Sequence, residues 1–151
     1  MSTITIDNLE THFETSAGTI RAVDGVSFSV ERGEILGLVG ESGSGKSITG
    51  FSVIGLVEPP GRVTGGRILF HGEDLVGRPD QDMRAIRGKK IAMIFQDPMM
   101  TLNPVLTIET QMVEAVRTHD KVSRAEARRR AVEALGLVGI PSPDERLSAY
   151  P

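Results

Sequence analysis

Apolar and polar positions alternate over the opening thirty residues in the manner of strands. Residues 3–8 and 20–30 read as two such strands. Val23, Val26, Phe28 and Val30 carry the clearest alternation, and Asp24-Gly25 forms a kink or turn within it. Between the strands lies a turn-rich loop, Glu14-Thr15-Ser16-Ala17-Gly18. A second tight turn, Glu31-Arg32-Gly33-Glu34, leads into Ile35-Leu36-Gly37-Leu38-Val39, a bounded apolar run that predicts a buried strand. The period then changes to that of a helix. Ile48, Phe51, Ile54 and Val57 fall one turn apart and predict a helix over residues 45–57, closed by Glu58-Pro59-Pro60-Gly61 because a residue before proline is pushed out of helical geometry.

Residues 66–71 read as a strand, Gly72-Glu73-Asp74 as a turn and residues 79–87 as a short helix, with Arg87-Gly88-Lys89-Lys90 a polar break. Residues 91–95 form a second short apolar run that suits a buried parallel strand. Two helices complete the pattern. The first covers about residues 107–118, with Ile108, Met112, Val113 and Val116 on one face. The second covers about 123–136, opened by the capping box Ser123 and Glu126 and stopped by Gly139 and Pro141. The expected class is α/β, with an antiparallel β layer ahead of a parallel core.

Composition narrows what such a chain can do. Its 151 residues suffice for one ordinary domain, and 39% hydrophobic with 25% charged residues is a globular balance. A net charge of −3 argues against a nucleic-acid-binding surface. The Arg128-Arg129-Arg130 run could serve nucleic acid or lipid, but Glu126 and Glu133 beside it favour a solvated helix face. Without cysteine there are no disulfides or zinc–thiolate sites, which fits a reducing compartment. The N-terminus lacks the basic start and apolar stretch of a signal peptide, and no run approaches the roughly 18 apolar residues that span a bilayer. Any membrane role is therefore expected to come through a partner. His12, His71 and His119 are scattered and show no metal-ligand spacing.

The chemistry concentrates in one stretch. Gly40-Glu41-Ser42-Gly43-Ser44-Gly45-Lys46-Ser47 matches G-x-x-x-x-G-K-[ST], set between a predicted strand and a predicted helix as the phosphate-binding loop requires. Its glycines let successive N–H groups turn inward onto an anion, and the new helix adds free amides and the positive end of its dipole. Lys46 is placed to stabilise the β- and γ-phosphates as a point charge, and the Ser47 hydroxyl to hold Mg²⁺. The loop predicts that the chain binds ATP with Mg²⁺.

Beside that loop, Phe-Gln-Asp-Pro at 95–98 and Leu-Asn-Pro at 102–104 look like the glutamine-loop region of ABC-transporter ATPases. The wording GESGSGKS, then MIFQDPMMTLNP, resembles most closely the ATPase subunits of oligopeptide and dipeptide importers, a group that includes nickel and glutathione importers. The likeness runs from Leu9 to the final residue, departing at Met100-Thr101, where the group more often has Thr-Ser. It implies a P-loop core with an antiparallel β layer over residues 1–97 and the start of a helical subdomain over 98–151, the part that docks on a membrane subunit. It further implies that Phe13 stacks on adenine, a role favoured over that of a core-packing phenylalanine. Gln96 is implied to hold Mg²⁺ and sense the γ-phosphate. The implied partners are a second ATPase subunit, membrane-spanning permease subunits and, indirectly, a solute-binding protein outside the cell. The implied location is peripheral, on the cytoplasmic face of the cell membrane.

The same resemblance expects a signature loop, a Walker B strand with its catalytic glutamate, a D-loop and a switch histidine after Tyr150-Pro151. Val63-Thr64-Gly65-Gly66 echoes the signature but reads as a turn. The 151 residues thus supply charge stabilisation of a phosphate and no group to position water, so weak MgATP binding with little hydrolysis is expected, as is poor solubility from an unpaired apolar edge. Two other functions compete. One is a non-catalytic nucleotide-binding remnant. The other is a small P-loop kinase in which Asp97, following the apolar run 91–95, holds Mg²⁺.

Overall fold

The computed structural model describes residues 2–96 and 101–151, which divide into two compact units, Met1–Ala92 and Met93–Pro151. The first is built on a four-stranded antiparallel sheet in the order β2-β1-β3-β4. Strand β1 (Ser2–Thr15) and strand β2 (Gly18–Glu31) are joined by the two-residue turn Ser16-Ala17, so the early alternation does form a hairpin. Strand β3 (Gly61–Phe70) pairs with the other edge of β1, and β4 (Glu73–Asp74) adds a two-residue rung. Inward-facing Ile6, Leu9, Val23 and Ile68 form the core together with Leu75, Met83 and Ile86. Those last two lie on helix α2 (Asp80–Ile86), which falls within the span the periodicity predicts.

Several expectations are corrected here. Val63-Thr64-Gly65-Gly66 is no turn. It runs inside β3, where Val63 pairs with Thr11 and Gly65 with Glu10, and the ladder breaks register beside Gly66. Glu73 and Asp74 likewise pair with Phe70 and Leu69 instead of forming a turn. Residues 35–39 are not a buried strand: they have no ladder partner among the described residues, and Ile35 is 98% and Val39 90% exposed. Residues 92–95 form no strand either, and Ile94 is 95% exposed. Apolar side chains specify that a strand would be buried, but a strand exists only through hydrogen-bonded neighbours on both sides.

Helix α1 (Lys46–Val53) stops four residues earlier than the apolar spacing predicts. Gly55 takes φ +63°, its N–H bonds Ser52 O at 3.2 Å, and the Leu56 N–H bonds Phe51 O at 2.8 Å. That is a Schellman closure, which only a left-handed residue after the last turn permits. The face turned to the sheet also differs. Thr49 and Ser52, together with Ile54 just past the helix, are the buried positions, whereas Ile48 packs only partly against the core.

The second unit is helical. Helix α3 (Ile108–His119) is capped by Thr107, which accepts from the Thr110 N–H, and α4 (Arg124–Leu137) by Ser123, which accepts from the Glu126 N–H at 3.2 Å. Ala127 and Ala131 of α4, Val113 of α3 and Leu147 are its buried residues. Small side chains on α4 let the two helices approach closely, as the facing Val113 requires. Gly139, at φ +76°, ends α4 as predicted, with Ile140 N–H bonded to Leu135 O. A short helix α5 (Pro143–Arg146) follows, and the Ile108 and Glu109 amides at the start of α3 donate to the carbonyls of Ala149 and Leu147 just beyond it.

Candidate phosphate-binding site

Residues 40–47 form one loop at the start of α1. Gly45 is the residue before the helix, in left-handed geometry at φ +91°, ψ 1°, and a Cβ there would lie well inside contact with the Ala22 carbonyl oxygen of β2. This close approach seats the loop on the sheet, and only glycine allows it. Because Gly45 has no side chain, no side-chain cap takes the first free amides of α1, and no acidic residue sits in its first turn. The amides of Lys46, Ser47 and Ile48 are by construction without helical acceptors, and the positive end of the helix is not neutralised.

Lys46 is folded back into the loop. Its Nζ donates to Gly40 O at 2.7 Å, to Glu41 O at 2.6 Å and to Ser44 Oγ at 3.3 Å. Ser44 N–H closes the turn on Glu41 O at 3.2 Å. A Cβ at Gly40 would meet Ser44 Oγ at 2.5 Å, so a side chain there would turn the hydroxyl away from Lys46. Ser42 and Gly43 lie at the exposed tip, and the Ser47 side chain is exposed at the first turn. This donor set fits a phosphate chain with a divalent cation: amides and an ammonium face the anion, and a free-standing hydroxyl oxygen suits a hard metal ion.

The helix carrying Lys46 and Ser47 is tied down by side chains that residue patterning does not single out. Thr11 Oγ1 and Ser52 Oγ, both buried, lie 2.8 Å apart. Ser52 already donates its one proton to Ile48 O at 2.7 Å, so Thr11 is the donor of the pair. At the other end Arg87 donates from Nε to Ile54 O (2.6 Å) and from Nη2 to Gly55 O (2.8 Å), while Nη1 meets Asp80 at 2.7 Å. The same guanidinium, with Arg84 adding to it, holds the Asp80 carboxyl below the usual range.

Phe13 sits on β1 two residues beyond Thr11, on the same face, half-buried, with its ring against Gly61: a Cβ there would meet Cε1 at 2.5 Å. Val57 approaches the same point from the other side. Gln96 is exposed and belongs to the second unit. Asp97, the acid of the kinase alternative, lies outside the described residues.

The arginine run of α4 is held by acids and not presented as an open basic patch. Arg129 and Arg130 converge on Glu126 at 2.9 Å each, drawing its pKa down to about 2, chiefly through the Arg129 hydrogen bond. Arg130 also reaches Asp120, and Arg129 reaches Glu133. Arg128 joins Glu109 of α3 to Asp144 of α5. Glu109, bonded first by Arg124 and then by Arg128, is likewise held below the ordinary carboxylate range.

The chain is similar to known proteins along nearly its whole length. A dipeptide transport ATP-binding protein of Bacillus subtilis is 50% identical over 149 residues, covering 98% of this chain and 44% of its own length. The Escherichia coli dipeptide transport ATP-binding protein is 43% identical over all 151 residues, which are 46% of its length. The chain thus spans somewhat under half of these relatives. Among solved structures, a bacterial ABC transporter cassette in dimeric form superposes with a TM-score of 0.81 at 24% identity, covering 97% of this chain and 60% of that one. The same cassette in a dimeric post-hydrolysis state, bound to ADP and phosphate, gives 0.83 at 23% identity, over 98% of this chain and 61% of that one. These likenesses place the sheet, the loop and the helices in the fold of an ABC ATPase cassette. The ABC transporter family profile matches residues 23–150, and the chain belongs to that family.

Proposed function

We propose that this chain is the nucleotide-binding front portion of an ATPase subunit that energises an importer for peptides or similar small solutes. Residues 1–97 form the P-loop part and 98–151 the beginning of the helical subdomain. The observation that carries the reading is the Lys46 ammonium, fixed among the loop carbonyls beside an uncapped helix start. Support for the transport class comes from relatives named for dipeptide and oligopeptide transport.

In this reading the first-turn amides and Lys46 bind the β- and γ-phosphates of ATP, the Ser47 hydroxyl would hold Mg²⁺, and the Gln96 side-chain oxygen is the further ligand that the family resemblance implies. Magnesium, when bound, neutralises charge on the β- and γ-phosphate oxygens. Phe13 offers its ring to adenine from the sheet face it shares with Thr11. Lys46 stabilises charge without activating water, so hydrolysis by these 151 residues is slight, and full turnover belongs to a subunit with a water-positioning group and a partner cassette closing over the γ-phosphate. No described helix is long and apolar enough to cross a membrane. A peripheral place at the cytoplasmic face, through permease subunits, follows from the proposed role.

The test is a calorimetric titration with MgATP. The unaltered chain gives a saturable isotherm, and Lys46→Ala abolishes it while leaving the circular dichroism spectrum unchanged. An isotherm that survives the substitution, or a folded chain that takes up no ATP in excess Mg²⁺, refutes the reading. Turnover comparable to an intact subunit would refute the expectation of slight hydrolysis.

A further inference from the structure

Arg87 lies outside the loop motif, yet it grips the far end of the helix that the motif begins. Its guanidinium bonds the two carbonyls just past the helix, Ile54 O at 2.6 Å and Gly55 O at 2.8 Å, 33 and 32 residues earlier in the chain. Asp80, seven residues before it at the start of α2, holds the third edge of the fork at 2.7 Å. The side chain is only 22% exposed, so the contact is partly shielded from water. A cation at a helix C-terminus satisfies orphan carbonyls and faces the negative end of the dipole. A planar fork does so with direction as well as charge, which a lysine ammonium does not match.

Helix α1 is only eight residues long, so an anchor at its end fixes where its beginning lies. The Thr11–Ser52 bond restrains it laterally and the Gly45–Ala22 approach restrains its start. Arg87 is the restraint along the axis. It is also the residue from which the chain departs toward Gln96, through a bond from Gly88 N–H to Ile91 O at 2.8 Å and an isolated bridge between Arg87 and Ile91. We infer that Arg87 is a positioning residue for nucleotide binding, holding α1 so that Lys46 and Ser47 stand at the phosphate site. The inference rests on the nucleotide-binding reading above and extends it to a residue that touches no nucleotide.

The experiment uses Arg87→Ala, Arg87→Lys and Asp80→Asn in the full 151-residue chain, with MgATP titration and amide hydrogen exchange measured on each. Arg87→Ala weakens MgATP about tenfold, the factor a lost charged hydrogen bond commonly brings. Arg87→Lys recovers part of that loss, and Asp80→Asn, which leaves the carbonyl contacts in place, weakens binding about twofold. Exchange quickens at the amides of Gly55 and Leu56 and through α1, while β1 and β3 stay protected. Unchanged MgATP affinity in folded Arg87→Ala or Arg87→Lys overturns the inference, as does exchange that rises equally across the sheet. Absence of MgATP binding by the unaltered chain is a separate result, seen before any variant is made, and it removes the nucleotide-binding reading along with this one.

Discussion

The buried hydroxyl pair between β1 and α1 yields a prediction whose size follows from proton counting. Ser52 donates to Ile48 O, so its oxygen can only accept from Thr11. In Thr11→Val a methyl of similar volume replaces the hydroxyl, and the Ser52 lone pair then faces carbon in a dry site. An unsatisfied buried polar group costs about 1–3 kcal/mol. In Ser52→Ala the Thr11 proton is orphaned instead, at a similar cost. Relief comes from alanine, which is better in a helix by about 0.5 kcal/mol and frees the Ile48 carbonyl of its side-chain bond. The double variant leaves no polar group unmet and places methyl against methyl, so it should lose no more than about 1 kcal/mol. The sum of the single losses should therefore exceed the double loss by at least about 1 kcal/mol, a coupling typical of contacting residues. Urea unfolding followed by circular dichroism measures each value through its midpoint. Additive losses, or a double variant worse than the sum, would refute the pairing.

Three further outcomes follow from the same structure. Gly45→Ala forces a Cβ against the Ala22 carbonyl and puts a side chain at φ +91°, so it should destabilise by about 2–4 kcal/mol, whereas Gly43→Ala, at φ +81° with open space around it, should lose only about 1–2 kcal/mol. Equal midpoints in denaturant would contradict the tight seating. Glu126 titrates near 2 when folded against an ordinary value of 4.5, so its stabilisation is present above about pH 5 and vanishes as pH falls through about 2. Glu126→Gln should flatten the acid limb of α4 helicity over that window; an unchanged limb would show that the arginine contacts do not act. Ile35→Lys with Val39→Lys should raise the monomer fraction in light scattering, because both side chains lie almost wholly in solvent on residues without a ladder partner among the described residues. No gain in monomer would remove residues 35–39 as the source of association.

What could be read from residue order was whatever local chemistry specifies. The loop from Gly40 to Ser47 is legible because its function is covalent spacing, and its glycines, lysine and serine do stand together at a helix start. Ser123 and Gly139 announce the ends of α4 because caps act within a few residues. Gly55 carried the same kind of signal, and the prolines that follow obscured it. The Thr11–Ser52 bond and the Arg87 clamp join residues 41 and 33 apart, and nothing local marks either partner. For residues 35–39 and 92–95 the apolar pattern predicts buried strands, but a strand needs hydrogen-bonded neighbours far away in the chain, which no local pattern reports; the described residues supply none there, and Ile35, Val39 and Ile94 lie exposed.

The three acceptors gathered round the Lys46 ammonium have a bearing on ligand choice. An arriving anion meets a cation whose every proton is already engaged, so it enters by exchange and not by simple addition. A lone orthophosphate returns little for the carbonyl bonds it displaces. A polyphosphate tail spans ammonium, helix amides and the Ser47 oxygen at once, and each contact raises the effective concentration of the next. If the loop binds nucleotide as proposed, it should rank its guests by the number of phosphoryl groups, with ATP ahead of ADP, ADP ahead of AMP, and free orthophosphate weakest of all.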